Sequence, residues 1–298
     1  MIPNPPRSEN LTGILMMLAA MAFFAVEDLF LKWAASDLPI GQIVLISGAL
    51  GAPVFVVMAW AKGQGVFMKD ALHPAVLTRN CGEMIGTASF MAALALVPLG
   101  TVAAVLQAMP LAVTLGAALF FGERVGWRRW TAIGVGFAGV LMVIQPGTAA
   151  FRPEALLVLV TVFGMSLRDL ASRAIPARIT TPQVSAWGLM SIAVLGAGMI
   201  ALSGEARMVT GTEALILTGA VLFGTAGYWA VTTATRTGEV AVVAPFRYSR
   251  LVFSMGLGVV FLAERPNGLT LAGAALIVAS GLYAFARERA RKRASQAG

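Results

Sequence analysis

Ten apolar stretches, each close to the roughly 20 residues that cross a bilayer as a helix, follow one another along this chain. They lie near 11–34, 40–61, 76–97, 100–121, 127–145, 155–174, 183–203, 213–235, 240–263 and 268–286, cut by proline, glycine and clusters of charge. Hydrophobic residues make up 58% of the 298 and charged residues only 12%. No ordinary soluble domain sustains such a balance over this length, so the expectation is an all-α integral membrane protein with ten transmembrane helices. The first stretch is too long for a signal peptide, because Glu27, Asp28 and Lys32 prolong it and nine more spans follow.

The net charge of +8 raises the question of nucleic acid, and its distribution answers it. With ten spans and an inside N-terminus, fifteen basic residues fall in inside loops and the tail 287–298, four fall outside, and Arg168, Arg247 and Arg250 lie within spans. That asymmetry is an orientation signal, with both termini cytoplasmic and the basic tail near anionic lipid headgroups. No nucleic-acid partner is expected, and the sequon Asn10-Leu-Thr12 falls on the inside, where it is not glycosylated.

The chain repeats itself. Phe120-Phe-Gly-Glu-Arg124 returns 141 residues later as Phe261-Leu-Ala-Glu-Arg265, and the same offset relates Asp28 to Asp169, Lys32 to Arg173 and Gln42 to Gln183. At an offset of 138, Gly86-Thr-Ala88 answers to Gly224-Thr-Ala226. Residues 1–145 and 146–286 thus read as two copies of five helices each. Five is odd, so the second copy enters the membrane from the opposite side and the repeats are inverted, a plan that places a central site between two exchangeable halves.

The two copies, the Gly-Glu-Arg or Ala-Glu-Arg before the last helix of each, and Gly273-Ala-Ala-Leu-Ile-Val-Ala-Ser-Gly281 resemble the ten-helix EamA-type exporters of the drug/metabolite transporter superfamily. The resemblance implies a secondary transporter of the bacterial inner membrane, similar to exporters of aromatic amino acids and methionine. Other members of the resembled group carry riboflavin, S-adenosylmethionine or nucleotide-linked compounds. Ala244–Ser254, "APFRYSRLVFS", is similar to the ninth helix of several metabolite carriers, whereas the first copy has "LQAMPLAVT" there.

The expected site residues are the polar and aromatic groups inside the spans. Arg168, Arg247, Arg250 and Glu83 are charges that lipid does not tolerate unpaired, so each has either an internal partner, such as Glu83 for Arg250 or Arg247, or Asp169 for Arg168, or a ligand. Arg247 and Arg250 share a helix face with Tyr248 beside them, and a guanidinium fork suits a carboxylate. Gln107 precedes Pro110 by three residues, where a disrupted helix frees backbone carbonyls. Phe24, Tyr228, Trp229 and Tyr248 form a possible aromatic wall. Asp28 with Lys32 and Asp169 with Arg173 are pairs four apart, read as structural or gating contacts. Glu123 and Glu264 are expected to face the N-termini of the helices that follow them.

Other features are excluded as chemistry. Gly134-Val-Gly-Phe-Ala-Gly139 matches a dinucleotide fingerprint but lies in an apolar helix, where, like Gly82 and Gly86, it reads as packing glycine. One cysteine, Cys81, and one histidine, His73, preclude a Cys-rich or multi-His metal site and a His-based triad. The expectation is therefore no cofactor, no metal and no enzyme activity, with a small molecule and membrane lipid as partners. An enzyme acting on lipid-linked substrates and a passive channel are the rival classes; oligomeric state is not legible.

Overall fold

A computed structural model describes residues 7–66, 69–122, 126–237 and 240–297. These form twelve α-helices: α1 (Arg7–Asp37), α2 (Ile40–Trp60), α3 (Pro74–Leu96), α4 (Leu99–Leu106), α5 (Met109–Phe120), α6 (Trp127–Ile144), α7 (Leu156–Arg173), α8 (Thr181–Ser203), α9 (Gly211–Thr237), α10 (Val240–Val243), α11 (Ser249–Leu262) and α12 (Gly268–Ala297). No strand occurs among the described residues. Seven described segments are long and apolar enough to cross a membrane, α4 and α5 together counting as one of them. The remaining three stretches are also helical, but α3 carries Arg79 and Glu83, α6 opens on Arg128 and Arg129, and the ninth is interrupted by a 3-10 turn at Ala244–Tyr248.

The fourth and ninth stretches are thus the broken ones. Between α4 and α5 the amides of Gln107 and Ala108 bond three residues back, to Ala104 and Val105, and Pro110 in the first turn of α5 has no amide to continue the ladder. Pro245 plays the same part in the turn that leads into α11.

Helices from different halves pack against each other: α1 on α9, α2 on α8, α3 on α7, α4 on α11 and α6 on α12. Glycine makes the close approaches. A Cβ at Gly48 would stand 2.5 Å from the Ala193 amide, one at Gly164 2.5 Å from the Gly86 amide, and one at Gly139 2.8 Å from the Gly273 carbonyl. The contacts also give direction, since Gly41 meets Gly196 and Ile200 while Gly48 meets Leu189 and Ala193, so α2 and α8 run antiparallel. These are corresponding helices of the two copies, and they pack as copies inserted in opposite senses do. In contrast α1 and α11 run parallel: Met17 and Met21 cluster with Val243 and Phe246, and Trp33 stands edge-on to Phe261. Since α12 returns after a short turn, the chain begins and ends at the same end of the bundle.

Leu50, Val57, Trp60, Leu119, Val194, Leu202 and Val260 are each about half exposed or more, forming the apolar girdle that lipid requires. Trp127 and Trp130 are exposed at the start of α6, and the Arg128 guanidinium lies 5.2 Å from the Trp127 ring centre, as expected of interface anchors. The motif glycines divide by face: Gly136 and Gly139 meet α12, whereas nothing lies within 4 Å of a Cβ at Gly134. Gly139→Ala should therefore lower stability by about 1–3 kcal/mol through overpacking, and Gly134→Ala should leave it unchanged or slightly raised. Thermal unfolding of both variants in one detergent checks this.

Candidate functional site

The two helix breaks face one another across a cavity of about 400 Å³. Its wall combines Gln107, Met109 and Pro110 from the first break, Ala244, Pro245, Arg247 and Tyr248 from the second, Met21, Phe24 and Arg250 beside them, and Asp169 from α7. Thr114, Arg129 and Phe285 carry it towards the end of the bundle that bears both chain termini. At the other end α3, α4, α7, α11 and α12 close on a dense apolar core that includes Leu94, Leu99, Val102, Val158 and Ile277.

The charges sort into those already satisfied and two that are not. Arg250 donates from Nε and Nη2 to the Asp28 carboxylate, at 3.2 and 2.7 Å for Oδ2 and 2.8 Å for Oδ1, and its guanidinium stands 5.4 Å from the Phe24 ring centre. Asp28 is 3% exposed, so this forked pair is what lets a carboxylate persist there. The expected Asp28–Lys32 pair does not form. Lys32 Nζ instead donates to the carbonyls of Leu94 and Val97, 2.7 Å from each, because α1 lies against the open C-terminal end of α3, where carbonyls lack helical partners.

Glu83 pairs with Arg79 at 2.8 Å and accepts from Arg168 at 3.1 Å, so it ties α3 to α7 and stands outside the cavity; the expected alternative of a Glu83–Arg250 pair is corrected. Arg168 also reaches Asp169, with Nε at 2.9 Å from Oδ1, as one of the two alternatives anticipated. Asp169 therefore turns to its neighbour, while Arg173 is exposed in the last turn of α7. Glu27 packs its carboxylate against Gly224 and has no hydrogen bond among the described residues.

Arg247 differs from all of these. It is exposed to the cavity, its carbonyl accepts from Gln107 Nε2 at 3.4 Å, and no described carboxylate lies within 4.0 Å of its guanidinium. The carboxylate of Asp169 lines the same cavity and is 41% exposed. An arginine and a carboxylate facing one space without pairing form a dipolar seat.

Of the expected residues, the fold thus gathers Phe24, Gln107, Arg247, Tyr248 and Arg250 around one cavity, with Asp169 opposite. Tyr228 and Trp229 are not there: they are 42% and 62% exposed on the outside, and Tyr228 meets Phe55 edge-on. One turn of α9 faces lipid where the aromatic wall was expected. Thr114, Arg129 and Phe285 were missed, since nothing in their neighbourhoods distinguishes them from interfacial residues. Glu264 also departs from expectation, for it caps α4 rather than α12, while Glu123 lies outside the described residues. Asp28→Asn should cost about 3–5 kcal/mol by leaving Arg250 buried without its charge partner. The double variant Asp28→Asn/Arg250→Gln should recover part of that loss, as a double-mutant cycle by thermal unfolding would read out.

Known proteins agree with this architecture. The EamA-like transporter family matches the chain twice, over residues 11–145 and 152–285. A riboflavin transporter of Rhizobium johnstonii is 27% identical over 96% of this chain and 95% of its own length. A pseudopaline exporter of Pseudomonas aeruginosa is 27% identical over 90% and 93%, and an S-adenosylmethionine uptake transporter of Rickettsia felis 23% over 98% and 100%. A crystal structure sharing 23% identity superposes with a TM-score of 0.64 over 95% of this chain and 99% of its own, a likeness of fold. A helical bundle with a lipid-facing girdle, a polar interior cavity at two broken helices, and two matches that together span most of its length place this chain in the EamA-like transporter family, as a multi-pass membrane transporter of the drug/metabolite transporter superfamily.

Proposed function

We propose that the protein is a secondary transporter of the cytoplasmic membrane that moves a zwitterionic metabolite, an amino acid or a larger molecule bearing an amino-acid head, by alternating access between two five-helix halves. Arg247 holds the carboxylate, Asp169 the ammonium, and Phe24 and Tyr248 the apolar remainder. The observation that supports this reading is that Arg247, with no carboxylate partner among the described residues, lines the same cavity as the part-exposed carboxylate of Asp169. An unpaired guanidinium within a membrane is costly unless something with complementary charge arrives to bind it. A volume of about 400 Å³ falls within the roughly 300–1,000 Å³ of small-molecule sites, and it admits ligands larger than a single amino-acid side chain.

The inverted repeat supplies the mechanism. Given ten apolar stretches, the positive-inside bias favours cytoplasmic termini, and the cavity, at the end that bears them, then faces the cytoplasm. In this orientation the far end is the closed side, and the state described is inward-facing, the one that loads an exporter. Transport needs only that the halves rock about the site, and no covalent step is assigned to any residue. A second reading, riboflavin or a similar planar molecule lying against Phe24 and Tyr248, is favoured by the riboflavin transporters among the relatives.

Counterflow in proteoliposomes distinguishes the readings. Phenylalanine, methionine and S-adenosylmethionine should exchange saturably, and Arg247→Ala should weaken the apparent affinity by about tenfold or more, the loss expected of a charge-assisted bond worth about 1.5–3 kcal/mol. Riboflavin exchange alone, with Arg247→Ala unaffected and the protein folded, would overturn the zwitterion and keep the transporter.

A further inference from the structure

A second, smaller cavity of about 190 Å³ lies at the closed end. Thr101, Gln145, Arg152, Glu264, Asn267 and Thr270 bring polar groups into its otherwise largely apolar wall. Its walls come from α4, α6, the end of α11 and the start of α12, the same helices that flank the larger cavity at the other end. Between the two lies a stopper of Val102, Val140, Leu251 and Ile277, none more than 6% exposed. In α4, α6, α11 and α12 alike, the stopper residue falls between those that line one cavity and those that line the other.

The turn joining α3 to α4 lines the far cavity with Val97, Pro98 and Gly100, and two charges hold it from opposite sides. Lys32 binds its incoming carbonyls, Leu94 and Val97, at 2.7 Å each. Glu264 binds its outgoing amides, Oε1 accepting from Leu99 at 2.6 Å and Oε2 from Gly100 at 3.1 Å. The aim of Glu264 is built in: Ala263 sits at φ 52°, a left-handed conformation costly for any residue but glycine, and the Glu264 amide returns to the Gly258 carbonyl at 3.0 Å. The carboxylate lies over Gly258, where a Cβ would come 2.5 Å from Oε2. In the first copy the matching position is Gly122, with φ 62°.

We infer that the far cavity is the exit vestibule of the translocation path and that Glu264, with Lys32, is the latch that keeps the stopper between the two cavities shut. Parting α4 from α11 is the movement that opens the stopper, and it breaks the two bonds from Glu264 to the first turn of α4. Substrate leaving past the stopper meets Arg152 and Gln145 in the vestibule. The inference rests on the transport reading for its path, but the latch is tested without any substrate.

The experiment uses the full chain in nanodiscs, with Cys81→Ser as background and Val102→Cys as a near-isosteric reporter in the stopper. A charged maleimide should label Val102→Cys slowly, and Glu264→Gln should raise the rate about tenfold, as for an equilibrium that loses one charge-assisted hydrogen bond. Labelling of Thr114→Cys, in the near cavity, should fall in the same variant as the two ends exchange. An unchanged Val102→Cys rate in a folded Glu264→Gln protein would overturn the latch even if counterflow proceeds. Faster labelling without counterflow of any tested metabolite would keep the latch and count against the proposed cargo. Should Glu264→Gln not fold, Lys32→Gln tests the other side of the same turn, with the same two rates deciding.

Discussion

Lipid offers no hydrogen bonds, and the rest of this structure follows from where the chain nevertheless leaves polar groups inside it. Two helices are broken at Gln107–Ala108 and at Ala244–Tyr248, and each break exposes backbone groups that lipid cannot satisfy. Both breaks are accordingly turned inward, towards each other, and the charges of the interior collect around them or are neutralised nearby. Asp28 and Arg250 close one pair, and Arg79, Glu83 and Arg168 close a network between α3 and α7. What is left over is Glu27, turned against Gly224, and, in the cavity wall, Arg247 and the open side of Asp169, which mark the candidate site.

The second constraint is close packing between halves. The glycine contacts at Gly48, Gly139 and Gly164 bring backbones together across the boundary between the copies, and van der Waals contact at that distance replaces the hydrophobic drive that lipid cancels. Backbone-to-backbone contacts are made at Gly48 and Gly164, while the Ile277 side chain seats on Gly139. They suit halves that must shift relative to each other, while the ion pairs set where a shift begins to cost free energy.

Much of the fold was legible in the sequence because the membrane imposes length and composition on every span, and the duplication imposes a count. The breaks were legible at Pro110, and the site was partly legible at Arg247, Tyr248, Phe24 and Gln107. What escaped were partner choices. Spacing of four residues put Lys32 opposite Asp28 on one helix face, yet the neighbouring helix ends offered Lys32 free carbonyls and Asp28 a forked guanidinium. Glu264 likewise reached across to α4 rather than to the helix that follows it in the chain. Tyr228 and Trp229 show the other limit: in a uniformly apolar helix, periodicity does not say which face meets lipid. Tertiary neighbours decide such cases, and a single sequence does not contain them.

The last helix carries a mechanical consequence. α12 runs for 30 residues from Gly268 to Ala297 without interruption, about 45 Å at 1.5 Å per residue, against a hydrocarbon thickness of about 30 Å. Its first half packs on α6 beside the stopper, and the helix exceeds the hydrocarbon by about 15 Å. A small change of tilt where it packs is therefore a larger sideways displacement at its far end. The helix has the proportions of a lever arm, and its sequence is basic towards that end.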